Sequence, residues 1–154
     1  MIEKTMKGGR VMQVQQLSVF VENKEGRLAE ITGVLAKAGV DIRAVSVADT
    51  REFGILRLIV DKPDTAHQAL QQAGFTASLT SVIVVSLEDK PGEFARVLSI
   101  LAEKHLGVEY MYAFISRDQG HACVILRVKD NEGAAQVLHA AGVRLLSGEE
   151  IQRM

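Results

Sequence analysis

Tryptophan is absent from this chain, and its aromatic residues are limited to two tyrosines and five phenylalanines. That scarcity argues against a base-stacking platform for nucleic acid. No charge of one sign dominates: 18 Lys and Arg against 19 Asp and Glu leave a net charge of -1. A broad electrostatic grip on nucleic acid or an acidic membrane is therefore not expected. The single cysteine, Cys123, cannot form an internal disulfide and sits in an apolar run. It reads as a small buried residue in a reducing compartment. No stretch supplies the ~20 apolar residues that a membrane span requires. Residues 1–14 mix charges with Gly8-Gly9 and lack the apolar middle of a signal peptide. They read as an appended arm, an expression remnant or an early start, with Met12 an alternative start. The protein is expected to be soluble and cytoplasmic. There is no proline-rich or serine-rich linker.

What is present is enough to build a core: 47% of the 154 residues are hydrophobic. The length suits one ordinary domain or two small ones. From Gln16 to Glu22, Leu17, Val19 and Val21 alternate with Ser18, Phe20 and Glu22, which predicts a strand. From Arg27 to Ala38, Leu28, Ile31, Leu35 and Ala38 fall on one helical face. Gly39 is a helix stop. Strands are expected at 42–48 and 54–61, joined by the turn 49–52. Pro63 opens a second helix, with Ala66, Ala69, Leu70 and Ala73 as its stripe and Gly74 as its stop. Residues 75–79 make a short fourth strand.

The pattern then begins again. Strands are expected at 82–87, 108–115, 121–128 and 143–146, and helices at 92–104 and 132–141. With a shift of 66, Lys24, Gly26, Ala29, Leu35 and Arg51 meet Lys90, Gly92, Ala95, Leu101 and Arg117. With a shift of 68, Leu58, Val60, Ala66, Leu70 and Gly74 meet Leu126, Val128, Ala134, Leu138 and Gly142. The two extra residues fall in a turn, where an insertion costs least. Each half therefore reads βαββαβ, an antiparallel four-stranded sheet with both helices on one face. The expected divisions are an arm of residues 1–14, a first domain of 15–80 and a second of 81–154. A unit of about 65 residues is marginal alone, so the halves are expected to pack together.

The chemistry-bearing stretch is Asn23-Lys24-Glu25-Gly26-Arg27-Leu28, repeated as Asp89-Lys90-Pro91-Gly92-Glu93-Phe94. Each copy leaves a strand and opens a helix. Gly26 and Gly92 permit backbone angles closed to other residues and leave room for a ligand to approach the main chain. The first helical N–H groups lack internal partners and carry partial positive charge, so a carboxylate fits there. Asn23 and Asp89 place a side-chain oxygen where it can accept from an ammonium group. The same residues also fit a plain helix cap and turn.

Residues 89–98 and 101–108 resemble the first helix of ACT domains and the strand start that follows it. The first half matches through Asn23, Gly26, Leu28, Leu35-Ala36 and Gly39-Val40-Asp41-Ile42. It departs where Glu25 stands in place of Pro91. The resemblance covers about residues 15–147 and implies a free-standing regulatory protein with two ferredoxin-like units side by side in an eight-stranded sheet. It implies an amino acid bound between the first-turn loop of one unit and the second-strand region of its neighbour. Carried over, the ligand-binding set is Asn23, Glu25, Gly26, Arg27, Leu28, Val47 and Ala48, with Asp89, Pro91, Gly92, Glu93, Phe94, Met111, Tyr112 and Ala113. Tyr110 and Tyr112 suit a pocket rim or sheet packing.

No cofactor, metal or catalytic set is expected. His67, His105, His121 and His139 are scattered, with none at metal-ligand spacing. No phosphate loop or local nucleophile–base pair is present. The partners implied are an amino acid, a second copy of the chain, and an enzyme or regulator of amino-acid metabolism. The competing reading is an interaction or oligomerisation module without a ligand. A helix-free sheet face carrying Phe20, Tyr110, Tyr112 and Phe114 would then dock another chain. An acylphosphatase-like enzyme needs a catalytic Arg/Asn arrangement or a metal site, and neither has a local signal. For an RNA binder of the same fold, Tyr110, Tyr112 and Phe114 give a faint echo of the aromatic platform, but the net charge of -1 is against it.

Overall fold

Two periods in the sequence, 2 for strands and 3.6 for helices, select which residues can share a core. The computed structural model describes residues 6, 7, 10, 11, 13–49, 51–115 and 120–154. Thr50 and residues 117–119 of two expected turns lie outside the described residues, as does most of the N-terminal arm, including Met12.

The elements in order are β1 (Met6–Lys7), β2 (Arg10–Val11), β3 (Val14–Glu22), α1 (Arg27–Lys37), β4 (Ile42–Asp49), β5 (Phe53–Val60), α2 (Pro63–Gln72), β6 (Thr76–Glu88), α3 (Glu93–Glu103), β7 (Val108–Ala113), β8 (His121–Val128), α4 (Asn131–Ala140), β9 (Arg144–Leu145) and α5 (Gly148–Gln152). The arm contributes an antiparallel hairpin, β1 with β2. The chain divides into two compact units, Gln15–Thr80 and Ser81–Gln152, the second also taking in that hairpin.

In the first unit the strand order is β4-β5-β3, with β6 on the far side of β3. Ser18 Oγ and Thr80 Oγ1 are 3.3 Å apart across that last pair. One face presents Leu17, Val19 and Val21 from β3 and Leu56, Leu58 and Val60 from β5. Ile31 and Leu35 of α1 and Ala66 and Leu70 of α2 close over it. Strict alternation puts Phe20 and Ile55, which are cross-strand partners, on the other face.

The second unit repeats the order as β9-β6-β8-β7. Its core joins Ile83, Val85, Leu87, Val124, Leu126 and Val128 to Val97 and Leu101 of α3 and Leu138 of α4. Burying each large aliphatic side chain stabilises its unit by roughly 1.5–3 kcal/mol.

Three expectations need correction. The strands expected at 75–79 and 82–87 are one continuous strand, β6, so seven strands build the two units instead of eight. Leu79-Thr80-Ser81-Val82 contains no glycine, proline, asparagine or aspartate to turn it, and Thr and Val favour extended chain. Leu28, expected on the same helical stripe as Ile31 and Leu35, is 44% exposed, and Phe94 at the matching turn of the second unit is 41% exposed. They stand in the first turns of α1 and α3, before each helix passes over its sheet. Of the aromatics expected on the helix-free face, Phe20 is exposed, Tyr110 and Tyr112 are half-buried, and Phe114 is buried.

Two glycine turns as the candidate functional site

β3 ends at Glu22, and the chain must reverse within four residues before α1 begins. Gly26 makes this possible with φ 85 and ψ -8 at the helix N-cap. Gly92 does the same before α3, with φ 93 and ψ -14. An L side chain in this left-handed region costs about 1–2 kcal/mol. A Cβ at either glycine would meet nothing within 4 Å, so the backbone angle, not crowding, demands glycine. The same fact leaves open space beside each turn.

The hydrogen bonds of the two turns match. Lys24 N donates to Glu22 O at 2.8 Å and Lys90 N to Glu88 O at 2.9 Å. Glu30 N donates to Gly26 O at 3.0 Å and Arg96 N to Gly92 O at 2.9 Å. Replacing Pro91 by Glu25 therefore leaves the turn's bonding unchanged. Neither helix has a side-chain cap. Asn23 instead anchors its turn, donating from Nδ2 to Arg51 O at 3.4 Å while its own N–H donates to Glu52 O at 2.9 Å. Uncapped first-turn amides at a helix N-terminus attract a carboxylate.

The charges around the turns repeat in part and reverse in part. Lys24 Nζ lies 3.0 Å from Glu22 Oε2, and Lys90 Nζ lies 2.8 Å from Glu88 Oε2. The hydrogen bond and charge of the lysine hold each glutamate below the usual carboxylate range, and the Glu88 carboxylate raises Lys90. At the first helical residue the sign flips. Arg27 pairs with Glu30 at 3.1 Å in the first unit, whereas Glu93 pairs with Arg96 at 3.2 Å in the second.

In the first unit the turn closes over a cavity of ≈ 80 Å³ lined by Val21, Glu22, Asn23, Lys24, Arg27, Leu28, Val47 and Gly54. A water occupies about 30 Å³, so this space takes a head group or a very small side chain. Val47 reaches it because β4 pairs with β5 in a register that sets Val47 opposite Leu56, on the helix side. Gly54 permits the approach: a Cβ there would lie 2.9 Å from Ala48 O. A wider cavity of ≈ 700 Å³ lies alongside α1, lined by Phe20, Glu22, Arg27, Glu30, Lys37, Phe53 and Phe75 among others. The rings of Phe20 and Phe53 stack there with centroids 5.0 Å apart.

Of the residues expected in the first site, Asn23, Arg27, Leu28 and Val47 thus meet at one cavity, within their own unit. Glu25 and Gly26 are exposed on the turn. Ala48, opposite Ile55, points to the other sheet face. In the second unit Asp89, Pro91, Gly92, Glu93 and Phe94 form the equivalent turn. Met111 and Ala113 lie opposite Leu126 and Val124 on the helix side of β7, and Tyr112 lies opposite Ile125 on the other side. Val21, Glu22 and Gly54 were missed, and Lys24 stood in the motif stretch without a binding role. The repeat of Glu22-x-Lys24 as Glu88-x-Lys90 was the available signal for Glu22 and for the role of Lys24. Among the described residues, no group of three His, Cys, Asp or Glu side chains is placed to hold a metal ion.

The sequence model of the ACT domain pair matches residues 12–154. Protein BT0572 from Bacteroides thetaiotaomicron, a crystal structure, is 37% identical over 93% of this chain and 98% of that one, with a TM-score of 0.86. The ligand-free regulatory subunit of aspartate kinase from Thermus thermophilus is 19% identical over 84% of this chain and 93% of that one, with a TM-score of 0.62. The regulatory subunit of aspartate kinase from Thermus flavus is 18% identical over 85% of this chain and 94% of that one, with a TM-score of 0.56. At these identities the two kinase subunits share the fold. No curated protein matches the chain significantly. With two βαββαβ units and two matched glycine turns, this chain belongs to the ACT family as an ACT domain pair, a domain type typical of regulatory, ligand-binding proteins.

Proposed function

We propose that the chain is a non-catalytic regulatory protein that binds an amino acid at its glycine turns. The observation that carries this is the turn built twice with the same left-handed glycine, the same backbone bonds and no side-chain cap. The ligand's carboxylate takes the first-turn amides of α1 or α3. Its ammonium group takes the side-chain oxygen of Asn23 or Asp89. In the first unit its side chain meets Leu28 and Val47, which leaves room for only a small group. The second-strand residues Met111, Tyr112 and Ala113 belong to the proposed second site. Sensing requires different affinities in two states of the protein. A cytoplasmic homodimer and an enzyme of amino-acid metabolism as the receiver of the signal complete the proposal.

Calorimetric titration of the full chain with each of the twenty amino acids tests it. Saturable binding of one or a few, lost in a Gly26→Val, Gly92→Val double variant that stays folded, supports the reading. Absence of binding by all twenty at millimolar concentration rejects it.

One observation favours a second reading, an oligomerisation module without a ligand. Phe20, Phe53 and Ile55 are 51%, 39% and 37% exposed and adjoin one another. An apolar patch of this kind suits an interface. Sedimentation of a Phe20→Ser variant separates the readings: loss of dimer with ligand binding intact leaves the sensor reading standing.

A further inference from the structure

Each unit has another corner, where its first helix passes into its second strand at the opposite end of the sheet from the glycine turn. The backbone there is the same twice. Gly39 follows α1 with φ 70, and His105 follows α3 with φ 56. Val40 N donates to Leu35 O and Leu106 N to Leu101 O, each at 3.0 Å.

The side chains differ at every position that matters. In the first unit the corner is tied shut. Asp41 N–H donates to Asp61 Oδ1 at 2.8 Å, the Asp41 carboxylate pairs with Arg43, and Lys62 Nζ donates to Gly39 O at 3.1 Å. In the second unit Gly107, Glu109, Lys129 and Asp130 stand at the places of Asp41, Arg43, Asp61 and Lys62. None of the three ties can form with them. Gly107 has no carboxylate, and Lys129 supplies a donor where the first unit has an acceptor.

What results is a cavity of ≈ 410 Å³, within the range of small-molecule sites. Its apolar wall is the half-buried Leu106 and Val108, with the buried Val128 behind them. Its two carboxylates are engaged. Asp130 Oδ1 accepts from Gly133 N at 2.9 Å, and Glu109 lies 3.7 Å from Arg127. Its two nitrogen bases are not. Lys129 Nζ and the His105 ring have no hydrogen-bond or ion-pair partner among the described residues. His105 also holds a left-handed backbone that costs roughly 1 kcal/mol more than the glycine used at the matching position.

We propose that this corner of the second unit binds a small organic carboxylate with an apolar body. The carboxylate lies between Lys129 Nζ and the ring N–H of His105, and the body lies on Leu106 and Val108. A charge-assisted pair supplies the anchor, and the apolar wall selects against small inorganic anions. The site is independent of the glycine turns.

The test is an NMR amide titration of the full chain with hexanoate, with acetate and hexan-1-ol as controls. Expected are saturable shifts clustered at residues 105–109 and 128–130 with hexanoate, and affinities at least tenfold weaker for both controls. Lys129→Met should weaken hexanoate about tenfold, as loss of one charge-assisted bond implies. A triple variant carrying Gly107→Asp, Glu109→Arg and Lys129→Asp restores ties of the first unit and should abolish binding. If it fails to fold, Lys129→Met decides. Shifts scattered over the chain, equal binding of hexan-1-ol or acetate, or unchanged affinity in Lys129→Met overturns the proposal.

Discussion

Gly26 and Gly92 hold the same left-handed backbone at the N-termini of α1 and α3, and each accepts a hydrogen bond from the residue four positions on. Because a Cβ at either meets no atom within 4 Å, the cost of replacing them lies in φ alone. Gly92→Val is expected to lower stability by about 1–2 kcal/mol. Gly92→Asn should cost clearly less, since asparagine tolerates this region. Urea denaturation of the two variants compares them. Equal losses would mean that contact, not backbone angle, governs the position.

Arg27 and Glu93 occupy the same helical position with opposite charge, each paired to a residue three further on. Arg27→Glu places two carboxylates side by side at 27 and 30. A loss of about 0.3 kcal/mol is expected from the like-charge pair. Adding Glu30→Arg recreates the arrangement of the second unit and should restore it. Arg27 also lines the small cavity, so under the amino-acid reading the double variant regains stability without regaining affinity. Calorimetry beside denaturation distinguishes the two effects.

The elements were legible where period and punctuation agreed. Ile31 and Leu35, or Val97 and Leu101, sit at helical spacing and are buried, and Gly39, Gly74 and Gly142 end their helices at φ 70, 89 and 83. The passage from 79 to 82 was misread because a repeat boundary implies a break, whereas Thr and Ser in an extended run do not make one. α5 was missed although Ser147 and Glu150 carry its signature. Ser147 Oγ accepts from Glu150 N at 3.2 Å, and Glu150 Oε1 accepts from Ser147 N at 3.3 Å, a capping box. In the site, the glycine turn was legible from local residues alone. The meeting of Val47 and Gly54 with Asn23 and Leu28 was not, since alternation fixes which face a residue takes but not which residue it opposes.

The Glu88–Lys90 pair gives a pH-dependent signature. The hydrogen bond and charge of Lys90 lower the Glu88 carboxyl from the ordinary value of 4.5. A group lowered on folding contributes stability that is present above its unfolded pKa and lost as pH falls through the folded one. The pair's contribution should therefore persist from neutral pH to the ordinary glutamate range and fade below it. Carboxyl ¹³C titration should place the Glu88 midpoint below 4.5. In Lys90→Met the midpoint should move upward. An unmoved midpoint would show that the pair does not persist in solution.

Asn131 is the buried polar residue whose loss should cost the second unit most. It is 7% exposed. Its Oδ1 accepts from Val128 N at 2.9 Å, and its Nδ2 donates to Ser81 O at 2.7 Å. Arg127 Nη1 donates to the same Ser81 carbonyl at 2.6 Å. With the shift of 68, the first unit has Pro63 at this position, which opens α2 without making either bond. The second unit therefore uses a side chain to join the end of β8 and the start of α4 to β6. Asn131→Ala strands the Val128 N–H and removes one donor from Ser81 O, while Arg127 still serves that carbonyl. One unsatisfied buried donor costs about 1–3 kcal/mol. A loss in that range is expected by denaturation, with faster hydrogen exchange at Val128. Asn131→Asp keeps the acceptor for Val128 N but sets a carboxylate against the Ser81 carbonyl. It should retain protection at Val128 while still losing stability. If both variants match the parent in stability, the bonds to Asn131 are replaced by water and the position is not a structural joint.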